Sequence, residues 1–226
     1  MEIRSQLRLI GAAGEALGFI VEEVIDFSSL DRGEVELVPG RFNMPTLLRR
    51  LVGLAREIVA DKPITVAVEV DDASCADHLG DERRLAEVLL HLIRNAAKFT
   101  REGYILITAE SHSVGDGCDR WRVVVRDSGV GIPPGHLARI CEPFQQADLS
   151  DTRAYGGLGL GLAISSSLLR LMGGRLEVSS TEGAGSAFAA ELVLPRAQEP
   201  AAAQPKRRNL DCLVAQRGPA ASAAAA

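Results

Sequence analysis

YGGLGLGLAI, residues 155–164, is the stretch from which the rest of the chain can be ordered. It holds four glycines and runs directly into the apolar segment Leu162–Met172, which predicts a helix. Glycine lets the backbone approach a ligand closely and adopt a positive φ angle, and a helix N-terminus offers free N–H groups to a phosphate. The stretch therefore predicts a phosphate-binding loop, and a flexible hinge before a helix is the alternative that these residues leave open.

Two common glycine-rich motifs do not fit this stretch. A P-loop ends in Gly-Lys-Ser/Thr, and no lysine follows Gly161. A dinucleotide-binding fingerprint requires a buried strand directly before it, whereas Asp148–Ala154 is polar. Glu177 stands about where a ribose-binding carboxylate would be expected, but it cannot replace the missing strand. Both motifs are therefore excluded.

The composition of the 226 residues is that of a folded protein, with 46% hydrophobic and 24% charged residues. The net charge of -5, with lysines and arginines dispersed along the chain, argues against a nucleic-acid partner. No apolar run reaches the roughly 18 residues of a membrane span, and no signal peptide is recognisable. The four cysteines lack C-x-x-C spacing and a paired histidine, so neither zinc nor disulfides are predicted and a cytoplasmic location is expected.

Residues 1–30 predict one long helix with an apolar seam. Apolar or small residues recur at alternating steps of four and three, as in a coiled coil or helical bundle; a helix packed on its own domain is the alternative. The seam positions are Ile3, Leu7, Ile10, Gly14, Leu17, Val21 and Val24. Asp31-Arg32-Gly33 then ends the helix, and the alternation from Glu34 to Val38 predicts a short exposed strand.

A compact pattern of helices and strands follows. Asn43 caps a helix that extends to about Val59, Ile64–Val70 predicts a strand, and Asp81–Thr100 predicts a second amphipathic helix. The inner face of the first of these helices is predicted from Leu47, Leu48, Leu51, Leu54 and Ile58. Asn95 interrupts the apolar run of the second helix, where asparagine is a poor helix former; a binding role and a hydrogen bond to the backbone would each explain it.

Two strand-like runs, Tyr104–Ala109 and Trp121–Arg126, predict a hairpin joined by a polar loop. The second run ends at Asp127, which is followed by Gly129 and Gly131. A fixed carboxylate with close backbone on both sides suits an amino-bearing heterocycle such as adenine, and a plain turn is the alternative.

The polar segment Pro133–Tyr155, between that turn and the glycine-rich stretch, predicts a lid that contains Phe144. Two last strands are predicted at Leu176–Ser179 and Ser186–Leu194. The composition then changes to Ala, Pro, Gln and Arg, which cannot form a core. Three parts are therefore predicted: a bundle helix (1–30), an α/β domain (31–195) and a disordered tail (196–226).

Four motifs, in this order, resemble those of bacterial sensor histidine kinases of two-component systems. RLAEVLLHLIRNAAKFT resembles the asparagine box, VVVRDSGVGIPP the first glycine box, CEPFQQAD the phenylalanine box and TRAYGGLGLGLAIS the second glycine box. The phenylalanine box distinguishes these kinases from the gyrase, chaperone and mismatch-repair ATPases that share their fold. From Leu7 to Pro195 the chain resembles the second dimerisation helix and the catalytic ATP-binding domain. This implies a Bergerat-type two-layer α/β sandwich, with a mixed sheet covered on one face by helices and preceded by a long bundle helix.

The resemblance also implies a site for ATP and Mg²⁺. Asn95 is implied as the Mg²⁺ ligand, Lys98 as a phosphate-facing cation and Asp127 as the acceptor for the adenine amino group. The full set of implied ATP-binding residues is Asn95, Lys98, Asp127, Gly129, Gly131, Ile132, Phe144, Arg153, Gly157, Leu158, Gly159, Leu160, Gly161 and Ser186.

Two positions depart from the family pattern. Leu158 replaces the Thr or Ser often found between the second and third glycines of the box, which removes one phosphate donor and predicts lower affinity. His91 stands where the family often has a second asparagine, four residues before Asn95 and on the same helix face. A histidine with satisfied hydrogen bonds is favoured there over a proton-handling role.

The phosphoacceptor that the resemblance implies, a histidine followed by Glu or Asp, is absent, since the four histidines are followed by Leu, Leu, Ser and Leu. The chain is therefore interpreted as a fragment that begins after the acceptor helix and transfers phosphoryl from Mg-ATP to a histidine outside it. The implied partners are a response regulator or receiver domain, and a second copy of the chain bound through the dimerisation helices. The resemblance also allows the intact protein to be attached to a membrane through segments outside this chain. A nucleotide-sensing pseudokinase and a partner-binding module without phosphotransfer are the alternatives.

Overall fold

The computed structural model describes residues 23–70, 76–145 and 158–197, and the helical positions Gly14, Gly18 and Val21 before them. The helices are α1 (23–31), α2 (Met44–Ile58), α3 (Glu82–Phe99), α4 (Pro134–Leu137) and α5 (Gly161–Leu171). The strands are β1 (Gly40–Phe42), β2 (Ile64–Val70), β3 (His78–Gly80), β4 (Gly103–Gly115), β5 (Cys118–Asp127), β6 (Arg175–Thr181) and β7 (Gly185–Pro195). Most of the seam predicted for the first helix, and the tail beyond Ala197, lie outside the described residues.

The domain is built on a five-stranded sheet with the strand order β2-β4-β5-β7-β6. β2 runs parallel to β4 and the other neighbours are antiparallel, so the sheet is mixed. Along β4 and β5, alternate side chains such as Ile105, Ile107, Val123 and Val125 are buried in one core with α2, α3 and α5. The alternate positions on the other face include Arg122, which pairs with Glu177 and Glu191 at the surface. The predicted two-layer α/β sandwich is confirmed.

Local signals set the ends of the two long helices. The Asn43 side chain accepts a hydrogen bond from Thr46 N at 3.1 Å, so it is the predicted N-cap of α2. The Asp81 side chain accepts from Arg84 N at 3.0 Å and caps α3, which makes Asp81 the N-cap and not the first residue of that helix. The inner face of α2 is displaced from the predicted one, because Val52 and Ala55 are buried while Leu54 and Ile58 are 38% and 39% exposed. The two exposed residues lie at the edge of the buried stripe, and Leu54 lines a groove between α2 and α3 instead of the core.

The strand predicted at Glu34–Val38 is wrong, since residues 34–39 form no strand and β1 begins at Gly40. Val38 N donates to the Asp81 carboxylate at 2.9 Å, which draws the segment to the start of α3 and not to a neighbouring strand. β1 instead pairs with β3 in a separate two-stranded sheet. Alternation alone predicted the strand too early, because a strand forms only where a partner offers free backbone groups.

The hairpin of β4 and β5 is longer than predicted, because the residues expected to form a loop extend both strands. The turn is Asp116-Gly117, with φ angles of 50° and 69°. Positive φ at both central residues is the conformation that matches the twist of a two-residue hairpin, and Asp-Gly is a favoured sequence for it. The long strands place Asp119 and Asp127 at opposite ends of β5.

A buried polar cluster closes the end of the sheet that is remote from Asp127. The Asp119 carboxylate accepts from Arg196 Nε at 2.8 Å and lies 2.9 Å from His78 Nε2. Trp121 Nε1 is 3.3 Å from the same histidine nitrogen. Ala197 N also donates to Asp77 O at 2.8 Å, so residues beyond Pro195 are attached to the domain.

This cluster predicts a pH-dependent contribution to stability. Arg196, and to a smaller extent His78, hold the pKa of Asp119 below its usual range. A lowered pKa in the folded state stabilises the fold above the unfolded value of about 4, and that stabilisation is lost as the pH falls through the folded pKa. We expect Asp119→Asn to lower the urea midpoint at pH 7 and the difference from wild type to shrink below about pH 4. A pH-independent difference would contradict the assignment.

Candidate nucleotide-binding site

Asp127, the last residue of β5, is held at a fixed position by the backbone of two neighbouring segments. It is 3% exposed, and its Oδ1 accepts from Gly129 N at 2.9 Å and from Ser186 N at 3.3 Å. Burial raises the pKa of this carboxyl, against the opposing effect of the two N–H groups. Within the described residues both hydrogen bonds reach Oδ1, so Oδ2 is left as the acceptor that a ligand can use.

The segment after Asp127 packs closely between α3 and the turn from β6 to β7. Val130 N donates to Phe99 O at 3.3 Å, and Gly183 N donates to Val130 O at 2.7 Å. Gly131 has a φ of 69°, and a Cβ there would clash with the Thr181 carbonyl, so a side chain is excluded for two reasons. The fold around Asp127 therefore requires a glycine at position 131.

Ile132 and Ser186 join this segment to the last hairpin. Ile132 is 8% exposed, and its N–H donates to Ser180 Oγ at 2.8 Å. The Ser186 hydroxyl lies 3.0 Å from Ser180 Oγ, which also donates to Gly185 O at 2.9 Å. Ser186 thus reaches Asp127 through its backbone N–H, while its hydroxyl lies in a chain of serine hydroxyls.

Asn95 and Lys98 lie on α3, one turn apart, and both are half-buried. α3 packs against α5, so the two helices place these side chains and the glycine-rich stretch in one region. Burial lowers the pKa of Lys98, whose Nζ lies 5.0 Å from the centre of the Phe99 ring. No group of three His, Cys, Asp or Glu side chains that could hold a metal occurs in the described ranges.

The described part of the glycine-rich stretch begins at Leu158. Gly159 has a φ of 72°, and a Cβ there would clash with the Gln145 carbonyl. Leu158 packs against the hydrophobic core and Leu160 is fully buried, so these leucines anchor the loop. The N-terminus of α5 has no side-chain cap, which leaves its first N–H groups for an anion. Arg153 and Gly157 lie outside the described residues.

Phe144 is placed against α1. Its φ is 61°, it is 62% exposed, and its ring meets the Phe27 ring edge-on with centroids 5.9 Å apart. Phe27 was not predicted as a site residue. The sequence carries no local signal for it, because its partner Phe144 is remote along the chain.

His91 is buried on α3 and faces the start of α5. Its Nδ1 lies 3.4 Å from the Ser165 hydroxyl, which donates to Gly161 O at 2.8 Å. Burial, assisted by Arg94, lowers the pKa of His91 to about 4, so the ring is neutral at physiological pH. The side chain thus connects α3 to α5, and a neutral ring agrees with the favoured prediction over a proton-handling role.

Glu23 of α1 is a second residue that sequence reasoning missed at this site. It is 7% exposed, and its Oε1 lies 3.4 Å from the position that a Cβ would take on Gly161. The signal available in the sequence was a carboxylate one position before the seam residue Val24. The site is therefore built from α3, the end of β5 and the starts of α5, β7 and α1.

The described residues include two cysteines. The described cysteines, Cys118 and Cys141, are free thiols. Burial raises the pKa of the Cys141 thiol.

Among the described helices, none has the length and apolar content needed to cross a membrane.

Comparison with known proteins places this site in a family. Residues 80–197 match the model of the family described as Histidine kinase-, DNA gyrase B-, and HSP90-like ATPase. The chain is 40% identical over 200 residues to Sensor protein TorS of Escherichia coli, and the aligned part covers 87% of this chain and 21% of TorS. It is 36% identical over 202 residues to Sensor histidine kinase AruS of Pseudomonas aeruginosa, covering 89% of this chain and 20% of AruS.

Solved structures give the same result. The crystal structure of full-length ShkA in complex with AMPPNP has a TM-score of 0.73 and 34% identity, covering 88% of this chain and 40% of ShkA. The catalytic domain of histidine kinase ThkA has a TM-score of 0.55 and 27% identity, covering 69% of this chain and 97% of that domain. The chain spans about a fifth of the length of the curated relatives named above. It belongs to the histidine kinase-, DNA gyrase B- and HSP90-like ATPases and, within them, is a catalytic ATP-binding domain of the sensor histidine kinase type.

Proposed function

We propose that this chain binds Mg-ATP between α3 and α5 and presents its γ-phosphoryl group to a histidine outside the chain. The observation that carries the proposal is that α3 packs both against β5, which ends in the fixed buried carboxylate of Asp127, and against α5, whose N-terminus is uncapped. One end suits an amino-bearing base and the other suits a phosphate. The AMPPNP complex of ShkA, a protein of similar fold, supports the nucleotide assignment.

The base-binding end works through the free oxygen of Asp127. Gly129 N and Ser186 N hold Oδ1, so Oδ2 can accept from an exocyclic amino group without rearrangement of the side chain. Because the carboxylate is already fixed by two backbone N–H groups, a donor from the ligand gains a charge-assisted hydrogen bond without ordering the side chain. Adenine carries such an amino group and guanine presents a carbonyl oxygen at that position, so we propose selectivity for adenine.

The phosphate-binding end combines the N-terminus of α5 with Lys98 and Asn95. Mg²⁺ prefers oxygen ligands and keeps several waters, so one amide oxygen together with phosphate oxygens is a sufficient donor set. Asn95 is half-buried on the helix that faces α5, and its amide oxygen fits this role. When bound, the metal would neutralise charge on the phosphates; Asn95 would orient it, and Lys98 would hold the phosphate chain.

Phosphoryl transfer then requires little covalent chemistry from the chain itself. The described groups position the nucleotide, and the nucleophile is a histidine supplied by another segment or another protein. We propose the acceptor helix of a dimer as its source, with residues 1–30 as the second dimerisation helix, 31–195 as the catalytic domain and 196–226 as a tail. A response regulator or receiver domain is the proposed final acceptor.

Asn95→Ala tests the metal assignment. We expect nucleotide affinity without Mg²⁺ to be unchanged and the increase in affinity on adding Mg²⁺ to disappear, because the amide oxygen contacts only the metal. Calorimetric titration of ATP with and without Mg²⁺ measures both quantities. Equal losses in the two conditions would count against a metal-ligand role, and no ATP binding by the unmodified chain would refute the proposed function.

A further inference from the structure

We propose that the Glu23 carboxylate on α1 is an autoinhibitory anion, which lies beside the phosphate-binding end of α5 and opposes binding of the nucleotide phosphates. This inference rests on the proposed function, because it assigns a regulator to the same phosphate-binding end. It makes α1 a part of the nucleotide site and not only a connection to it.

The burial of Glu23 needs an explanation. Glutamate is rarely buried unless it is paired, yet Glu23 is 7% exposed and its Oε2 has no hydrogen-bond partner in the described structure. Burial raises the pKa of this carboxyl, while the positive charges of Lys98 and Arg94 oppose the rise. The two positive charges therefore offset only part of the cost of burying this carboxyl.

Glu23 lies beside the start of α5, the end of the helix where the nucleotide phosphates are proposed to bind. Its Oε1 lies 3.4 Å from the Cβ position of Gly161, which is the first residue of α5. That helix is not capped by a side chain, so its free N–H groups and its dipole favour a negative group there. Lys98, the cation proposed to hold the phosphates, also interacts electrostatically with Glu23. The carboxylate and a phosphate thus compete for the same positive groups.

A second contact fixes α1 over the site. Phe27 follows Glu23 by one helical turn, on the same face, and its ring packs edge-on against Phe144 of the segment that leads towards the glycine-rich stretch. A rotation or shift of α1 would move both side chains together. Withdrawal of Glu23 would remove one negative charge from the phosphate-binding end, so the position of α1 would control the affinity for nucleotide.

Glu23→Gln tests the charge with almost no change in shape. Titration calorimetry of the full chain should show ATP affinity raised at least about fivefold, because a nearby repulsive charge has been removed. Adenosine, which has no phosphates, should bind with unchanged affinity. Asp31→Asn, which removes an exposed carboxylate from the end of the same helix, is the matched control and should change neither affinity.

A second variant separates the charge from hydrogen bonding. Glu23→Leu removes both the charge and the polar atoms, and it too should raise ATP affinity and leave adenosine binding unchanged. Unchanged or weaker ATP binding in Glu23→Gln would overturn the inference, as would an equal gain for adenosine. If wild-type ATP binding depends on Asp127 but not on Glu23, only this inference fails; if ATP does not bind at all, the proposed function fails as well.

Discussion

Asp127→Asn is expected to weaken binding of adenine nucleotides by at least about tenfold, since a charge-assisted hydrogen bond contributes roughly 1.5 to 3 kcal/mol. The structure indicates that the substitution should remove only the hydrogen bond to the base. The asparagine carbonyl can still accept from Gly129 N and Ser186 N, so the side chain keeps its orientation. Its NH₂ group then takes the position of Oδ2 and presents a donor to the amino group of adenine. Titration of ADP without metal measures the effect at the base alone.

Two controls identify the cause of that loss. A nucleotide whose purine lacks the exocyclic amino group should bind wild type and Asp127→Asn with similar affinity, because it makes no hydrogen bond to the carboxylate. Asp116→Asn, in the exposed turn of the hairpin, should leave all affinities unchanged. Since Asp127 is a buried charge whose pKa is raised by burial, the asparagine variant should not melt earlier than wild type. Unchanged ADP affinity in Asp127→Asn would refute the base-binding assignment.

The isolated chain is expected to bind Mg-ATP without labelling itself, whereas extension upstream of Met1 with an acceptor helix carrying a His-Glu pair should produce labelling. An acceptor held in line with the γ-phosphate can gain an effective concentration of about 10⁵ M or more over a freely diffusing one. The difference between the two proteins should therefore be close to all or none. Incubation with γ-labelled ATP measures it, and phosphohistidine is recognised because it survives base and is lost in acid.

The positions of three of the four histidines support this expectation. His78 is fully buried and His91 is buried and neutral, so neither is accessible to a phosphate. His112 lies on β4 opposite Arg120. It is seven positions from Ile105, the β4 residue opposite Asp127, and at 3.3 Å per residue this places His112 roughly 23 Å from the base-binding end. His136, on α4, is exposed, so His136→Gln is the control. Stoichiometric acid-labile phosphate on the 226-residue chain would refute the proposal of an external acceptor.

The long helices and the five strands of the main sheet could be predicted because their signals are local, whereas the short elements β1, β3 and α4 were not predicted. The caps Asn43 and Asp81 act on backbone groups three residues away, so the start of α2 was predicted correctly and that of α3 one residue early. The alternation of apolar residues predicted β2 for the same reason. The four motifs, which likewise depend only on residues close in sequence, were sufficient to predict the family and the two-layer fold.

What the sequence alone determined is therefore the order of the elements, their caps and periodicity, and the residue types that suit a nucleotide. Only the tertiary structure decided which backbone groups pair and which side chains meet. β1 forms where β3 offers a partner, and not where the alternation is best. Phe144 meets Phe27, and Glu23 reaches the start of α5 at Gly161, across separations for which a single sequence contains no periodic signal. The physical reason is that burial and electrostatic contact depend on distance in space, whereas caps and periodicity depend on distance along the chain.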